Sequence, residues 1–261
     1  MREEALTGGN LNPVVRVGET VRRSTGTWTP AVHQLLEHLE AQGFDGAPRV
    51  LGFDEQGREV LAYIDGATDD SGDPDWVWSA RALVEVAHLI RRYHDLCRTF
   101  EPPVDAQWQV MVGAPRGGEI ICHNDLAPFN AVFRDGAPVA FLDWDLAAPG
   151  PPLWDIAYAA WRFVPLYSDP TERGWTAGVA ERASRLRSLS DTYGLSEGER
   201  AQLVETVERR IRCSFDTLKA WGEEGKPGWS EMWQERTHGE GMLRDLAYIA
   251  EHRSTLNQAL T

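Results

Sequence analysis

Between residues 118 and 145 the chain reads as strand, loop and hairpin in quick succession, and that order decides what can meet in space. GEIIC (118–122) is an apolar strand and HNDLAPFN (123–130) a polar loop. AVF and VAFLDW are short apolar runs on either side of Arg134-Asp135-Gly136-Ala137-Pro138, a turn-rich stretch that folds a hairpin. Asn130 precedes the first hairpin strand and Asp143 ends the second. An antiparallel hairpin brings those two ends side by side, because paired strands lie about 4.8 Å apart. His123 and Asp125 occupy the loop just before Asn130. One small region therefore gathers His123, Asp125, Asn130, Asp143 and Asp145, with no other basic residue between 117 and 133. Three carboxylates and an amide oxygen form a hard-oxygen site. Such a site suits Mg²⁺, which takes few protein oxygens and completes its shell with water and phosphate. Clustered carboxylates repel one another, so a cation should neutralise them.

Around this stretch the pattern changes from strand to helix. VVRVGETVRR (14–23) reads as two short strands around a Gly18-Glu19 turn. Trp28 to Gln42 has helical spacing, starts at Thr29-Pro30 and stops at Gly43. Residues 49–53 and 59–64 form a second strand pair. Residues 65–75, DGATDDSGDPD, are a polar linker. Ser79 then caps a long amphipathic helix with Leu83, Val86, Ile90, Tyr93 and Cys97 on one side. APGPP is a breaker after the hairpin. Helical spacing follows over about 153–164, 171–193, 196–222 and 229–257. The reading is α+β: a small antiparallel β-rich lobe (1–64), a hinge (65–75) and a larger, mainly helical lobe (76–261). That lobe carries the loop-hairpin (121–145) at its front and helices over 153–261 that face a substrate.

Composition narrows the partners. Lys+Arg is 26 against Asp+Glu 40, a formal charge of −14, which repels nucleic-acid backbones and anionic membranes but is compatible with a cationic ligand. No window offers the roughly 18 uninterrupted apolar residues a membrane helix needs. The opening MREEALTGGN lacks a signal-peptide core. Cys97, Cys122 and Cys213 are scattered, which suggests neither a zinc ribbon nor a disulfide framework and fits a cytoplasmic setting.

The order His-x-Asp, Asn five positions after the Asp, hairpin, Asp is that of the catalytic loop and metal-binding Asp of protein kinases. Here Asp143-Trp144-Asp145 stands in place of Asp-Phe-Gly. With PGPPLWDIA behind it, the segment resembles the aminoglycoside phosphotransferase family of small-molecule kinases. GGNLNPVVRVGETVRR and GAPRVLGFDEQGREVLAYIDG resemble that family's phosphate loop, strands and hinge, so the likeness spans most of residues 8–165. It implies a protein-kinase-like two-lobe fold and Mg²⁺-dependent transfer of the γ-phosphate of ATP or GTP to a small-molecule hydroxyl. Asp125 is then the catalytic base, and Asn130 and Asp143 are the metal ligands. His123 braces the loop, Asp155 steadies it, and Asp145 is a further metal, substrate or surface carboxylate. Gly8, Gly9 and Asn10 would cradle phosphate.

One departure stands out. The only lysines are Lys219 and Lys226, so no lysine can take the strand position that usually grips the α- and β-phosphates. Arg22 or Arg23 must substitute, and the strand pattern favours Arg22. The partner glutamate is equally displaced: Val32 and His33 fall near its place, with Glu37 one turn later. The acceptor stays open between a polycationic aminoglycoside or other antibiotic and a metabolic amino alcohol or sugar. A kinase-like protein that binds nucleotide without transfer is the competing reading. A metal-dependent phosphoesterase would need more histidines than His123.

Overall fold

The computed structural model describes residues 3–6, 14–68, 76–168 and 177–261. Five strands near the front form one antiparallel sheet: β1 (Glu4–Ala5), β2 (Val15–Val17), β3 (Thr20–Arg23), β4 (Val50–Phe53) and β5 (Glu59–Ala62), in the order β1-β2-β3-β5-β4. The β2–β3 turn uses Gly18 at φ 62°, a left-handed conformation that costs glycine little. β3 pairs with β5, not with its sequence neighbour β4, so Arg23 lies opposite Glu59 and Arg22 opposite Val60. Successive strand residues leave opposite faces, which fixes where each arginine goes. α1 (Thr29–Ala41) lies between β3 and β4 in sequence and buries Val32, Leu35, Leu36 and Leu39, the apolar stripe of its sequence.

Residues 65–68 are tied to the second half of the chain. Ala67 and Phe133 exchange backbone hydrogen bonds of 2.9 and 2.7 Å, and Arg134 Nε donates to the Asp65 carbonyl at 2.8 Å. Gly66 is needed there: a Cβ would sit 2.5 Å from Val132 Cγ1. The remainder of the expected hinge, 69–75, lies outside the described residues. α2 (Ala80–Cys97) starts where Ser79 Oγ accepts from the Ala82 amide at 3.0 Å. Leu83, Val86, Ile90 and Tyr93 are all buried. Each such side chain contributes about 1.5–3 kcal/mol by leaving water.

Two small sheets carry the loop. β7 (Ala131–Arg134) and β8 (Ala137–Phe141) form the hairpin, with Ala131 opposite Phe141. β6 (Ile120–Cys122) pairs with β9 (Ala148–Gly150). The expectation of a plain breaker at APGPP is therefore corrected. A two-stranded ladder tolerates the missing amide of Pro149, and glycine permits the close approach, since a Cβ on Gly118 would meet the Gly150 carbonyl carbon at 2.0 Å.

The rest is helical: α3 (Pro152–Phe163), α4 (Val179–Tyr193), α5 (Glu197–Glu223), α6 (Trp229–Glu235) and α7 (Thr237–Leu260). Ser196 and Glu199 cap α5 reciprocally. The expected single helix over 229–257 breaks at Arg236, whose φ is 60°. Packing explains the break: Trp233 meets Phe215 of α5 at 6.0 Å between ring centroids and covers Gly222, which a continuous helix could not arrange. Among the described residues no helix is long and apolar enough to cross a membrane.

Candidate active site

The hairpin does bring its two ends together. The Leu142 amide donates to the Asn130 carbonyl at 2.7 Å, which places Asp143 one residue from Asn130 across the ladder. Asp143 turns away from β8 with φ 58°, a left-handed conformation that Asp and Asn tolerate best among the larger residues. Behind it Trp144 is buried, donates its indole N–H to the Phe141 carbonyl at 3.0 Å and packs 4.5 Å from the His123 ring. The tryptophan that replaces the usual phenylalanine is thus part of the loop's support.

Asp125 projects from the loop with both oxygens held. Tyr158 of α3 donates to Oδ1 at 2.6 Å and Asn130 Nδ2 donates to Oδ2 at 2.7 Å. Burial pushes its pKa above the ordinary carboxylate value, Tyr158 pulls it back, and Asp143 adds to the rise. His123 Nε2 meets the Leu142 carbonyl at 3.0 Å and Nδ1 accepts the Asp125 amide at 3.2 Å. One ring nitrogen must donate and the other accept, which describes a neutral imidazole. Burial lowers its pKa in the same sense. His123 therefore spans loop and hairpin as a brace.

Asp155, fully buried in the first turn of α3, accepts the backbone amides of His123 and Asn124, each at 2.7 Å, and contacts His94 Nε2 at 3.2 Å. Burial opposes its charge, but His94, His123 and these amides hold its pKa below the usual value. Arg210 of α5 donates to the Asn124 carbonyl and stands 4.3 Å from the centre of the Tyr158 ring. The loop is thus held from α3 and α5 together.

From the small lobe Arg23, not Arg22, reaches this region. Its guanidinium contacts Glu59 at 2.9 Å, donates to Asp143 Oδ1 at 3.2 Å and pairs with Asp145. The preference for Arg22 is thereby corrected. Arg22 leaves the other face of β3, donating to Thr20 Oγ1 at 2.6 Å and standing 3.7 Å from Asp54. Glu59 of β5 supplies the acidic partner that the helix lacks, and His33 of α1 completes the set at 2.9 Å from its other oxygen. Burial disfavours the Arg23 charge, but Asp143, Asp145 and Glu59 hold its pKa above the ordinary value. Asp145 is largely shielded beside it, its pKa pushed up to about 6 by loss of solvent first, with Arg23 opposing and Asp143 and Glu59 adding.

The donor set fits a divalent cation bound partly by phosphate. Asp143 keeps its side chain 44% exposed, and the Asn130 amide nitrogen is committed to Asp125, which leaves its oxygen free of that duty. Among the described residues no three His, Cys, Asp or Glu side chains form a closed cage. Two protein oxygens with room for water and phosphate is the usual provision for Mg²⁺. Gly8, Gly9 and Asn10, the expected phosphate loop, lie outside the described residues.

Four participants were not read as such from sequence: Glu59, Tyr158, Arg162 and Arg210. Glu59 carries a legible signal, an acid opening an otherwise apolar strand EVLA, because a buried carboxylate demands a cation. Tyr158 and Arg162 share one face of α3, but only the helix orientation shows which face meets the loop. Arg162 lies over the rings of Phe129, Trp161 and Tyr167. Burial works against its charge, yet Tyr167, Tyr158, Asp125 and Asp245 keep its pKa raised.

The model of the phosphotransferase enzyme family matches residues 104–186, which span the loop, the hairpin and α3. The trifolitoxin immunity protein of Rhizobium leguminosarum bv. trifolii is 34% identical over 269 residues, covering 99% of this chain and 98% of that protein. A choline/ethanolamine kinase family protein from Mesorhizobium loti superposes with a TM-score of 0.62 at 16% identity, covering 100% of this chain and 92% of the other. An amicoumacin kinase in complex with AMP-PNP, Ca²⁺ and Ami gives a TM-score of 0.61 at 14% identity, covering 98% and 88%. These likenesses carry the protein-kinase-like fold.

Proposed function

Because the chain belongs to the phosphotransferase enzyme family and is a small-molecule kinase, we propose that it transfers the γ-phosphate of ATP or GTP, with Mg²⁺, to a hydroxyl held against Asp125. The observation that carries this reading is the pair of hydrogen bonds that aim Asp125. With Tyr158 on one oxygen and Asn130 on the other, the carboxylate is fixed beside Asp143 at the end of the hairpin. A fixed carboxylate whose pKa is raised above the ordinary value is suited to accept a proton.

In the step itself the acceptor oxygen bonds to the γ-phosphorus as the bond to the β–γ bridging oxygen breaks. The hydroxyl proton goes to Asp125 and the nucleoside diphosphate leaves. Asn130 and Asp143 would hold the Mg²⁺, which would screen charge on the phosphates. Arg23 fills the place of the missing lysine and turns from Asp143 and Asp145 to the phosphates; Glu59 and His33 keep it on station. A guanidinium can clamp phosphate through two N–H bonds, so the exchange suits the task.

Likeness to an immunity protein across nearly the whole chain favours a toxic or antibiotic small molecule as the acceptor over a metabolic one. The test is mass spectrometry of a broad panel of hydroxyl-bearing antibiotics and metabolites incubated with Mg²⁺-ATP or Mg²⁺-GTP. The expected result is a gain of one phosphate on a member of the antibiotic set, abolished by Asp125→Asn. No phosphorylated product while calorimetry shows nucleotide bound would leave a binding protein in its place.

A further inference from the structure

Among the described residues, the guanidinium of Arg162, on α3, has no hydrogen-bond acceptor and no carboxylate partner. The buried arginines of the helical lobe donate to backbone carbonyls: Arg182 to Ala177 and Tyr167, Arg185 to Trp78 and Phe163, Arg210 to Asn124. The small-lobe arginines Arg22, Arg23 and Arg58 pair with carboxylates. Among the described residues Arg162 does neither: its Nε is buried with no hydrogen-bond partner, as are those of Arg23, Arg185 and Arg210, but those three place their other guanidinium nitrogens on an acceptor and Arg162 does not. In a chain with 40 acidic residues against 26 basic ones, leaving a cation unpaired is unexpected on composition alone. A buried polar group without a partner costs free energy, and such exceptions call for a reason.

The surroundings supply one. The guanidinium carbon lies 5.1 Å from the centre of Phe129, 5.0 Å from Trp161 and 5.3 Å from Tyr167, so an aromatic wall borders the charge. Asp245, the α7 carboxylate nearby, is already engaged by the Trp161 indole at 3.0 Å and the Ser168 amide at 2.8 Å. Arg162 also has a definite side of the catalytic carboxylate. Asn130, on the metal side, holds Oδ2, whereas Tyr158 holds Oδ1. Arg162 follows Tyr158 by one helical turn on the same face of α3. It therefore lies near the Tyr158 side of Asp125, close enough for the two charges to act on each other, and over the ring of Phe129 at the end of the loop.

We propose that Arg162 binds a carboxylate carried by the phosphate acceptor, with an apolar or aromatic part of the same molecule against Phe129, Trp161 and Tyr167. The inference rests on the kinase reading only for the word acceptor. It names a substrate class: small hydroxy acids with an apolar portion, as opposed to polycationic sugars, which this guanidinium repels. The planar fork of arginine matches a carboxylate through two parallel N–H bonds.

The test uses mandelate, which combines hydroxyl, ring and carboxylate, against mandelamide, its neutral counterpart. Affinities are measured by ligand-observed NMR with the wild type, Arg162→Gln and Arg162→Lys, each variant checked for an unchanged thermal transition. Wild type is expected to prefer mandelate by about 10- to 100-fold, the range for a hydrogen bond to a charged group. Arg162→Gln erases the preference and Arg162→Lys keeps part of it. A wild-type ratio near one, or a preference that survives in Arg162→Gln, overturns the assignment. The readout is binding, so it is separable from the proposed reaction. A preference lost in Arg162→Gln with no acceptor ever phosphorylated would sustain this site and remove the kinase step. Phosphate transfer without the preference would do the reverse.

Discussion

Replacing Tyr158 with Phe removes one hydroxyl and keeps the ring that packs against Trp161 and Arg210. The lost contact is a 2.6 Å hydrogen bond to Asp125 Oδ1. A hydrogen bond to a charged partner is worth about 1.5–3 kcal/mol. It favours the ionised carboxylate, as its lowering effect on Asp125 indicates. Its removal should therefore raise the Asp125 pKa further. Asp125 must be ionised to accept a proton, so activity should rise with pH through this pKa. The acid limb of the pH–rate profile should therefore sit above the ordinary carboxylate range in the wild type and move further up in Tyr158→Phe. The assay is Mg²⁺-nucleotide hydrolysis with water as acceptor, measured across pH. Stability gives a second reading with a defined sign. A carboxyl whose folded pKa is raised stabilises the fold at low pH and loses that contribution as pH rises through the folded pKa. The destabilisation caused by Tyr158→Phe should accordingly be small near pH 4, about the unperturbed value, and grow toward neutrality. A limb that stays in place while the rate falls equally at every pH would refute the reasoning and reduce Tyr158 to packing.

Two further outcomes follow from the small lobe. Arg23→Ala should weaken Mg²⁺-nucleotide binding by about 10-fold or more, whereas Arg22→Ala should leave it within about 2-fold, since one loses a charged hydrogen-bonding group at the site and the other does not; calorimetry distinguishes them, and equal losses would count against the inward role of Arg23. Glu59→Gln removes one charge from a buried set and should destabilise the fold by about 3–5 kcal/mol in urea unfolding; a loss under about 1 kcal/mol would mean that Asp143 and Asp145 suffice to balance Arg23.

The loop and hairpin could be read from sequence because they are local. The turn after Arg134, the apolar runs beside it and the offsets of Asp125, Asn130 and Asp143 fix the meeting of residues at most 20 positions apart. The Arg23–Glu59 pair could not be read that way. It depends on β3 lying beside β5 instead of β4, a choice of strand order that alternation within each strand does not reveal. For the same reason alternation within β3 alone does not distinguish Arg22 from Arg23, because a one-residue difference reverses the face. Tyr158, Arg162 and Arg210 are ordinary helix residues until α3 and α5 are placed against the loop. The break at Arg236 carries no glycine or proline to announce it and arises from the docking of Trp233. Local chemistry was therefore legible, and what escaped was set by the order and orientation of whole elements.

The central claim is that Asp125 acts on the reacting hydroxyl while Asn130 and Asp143 serve the metal and nucleotide. Asp125→Asn keeps shape and removes the base, so parallel calorimetry with Mg²⁺-nucleotide and single-turnover phosphate release separates the two duties. The account predicts a dissociation constant within about 3-fold of wild type and a rate lower by about 10²–10⁴-fold, the usual contribution of a positioned base. Unchanged turnover, or a loss of nucleotide affinity as large as the loss of rate, would contradict it.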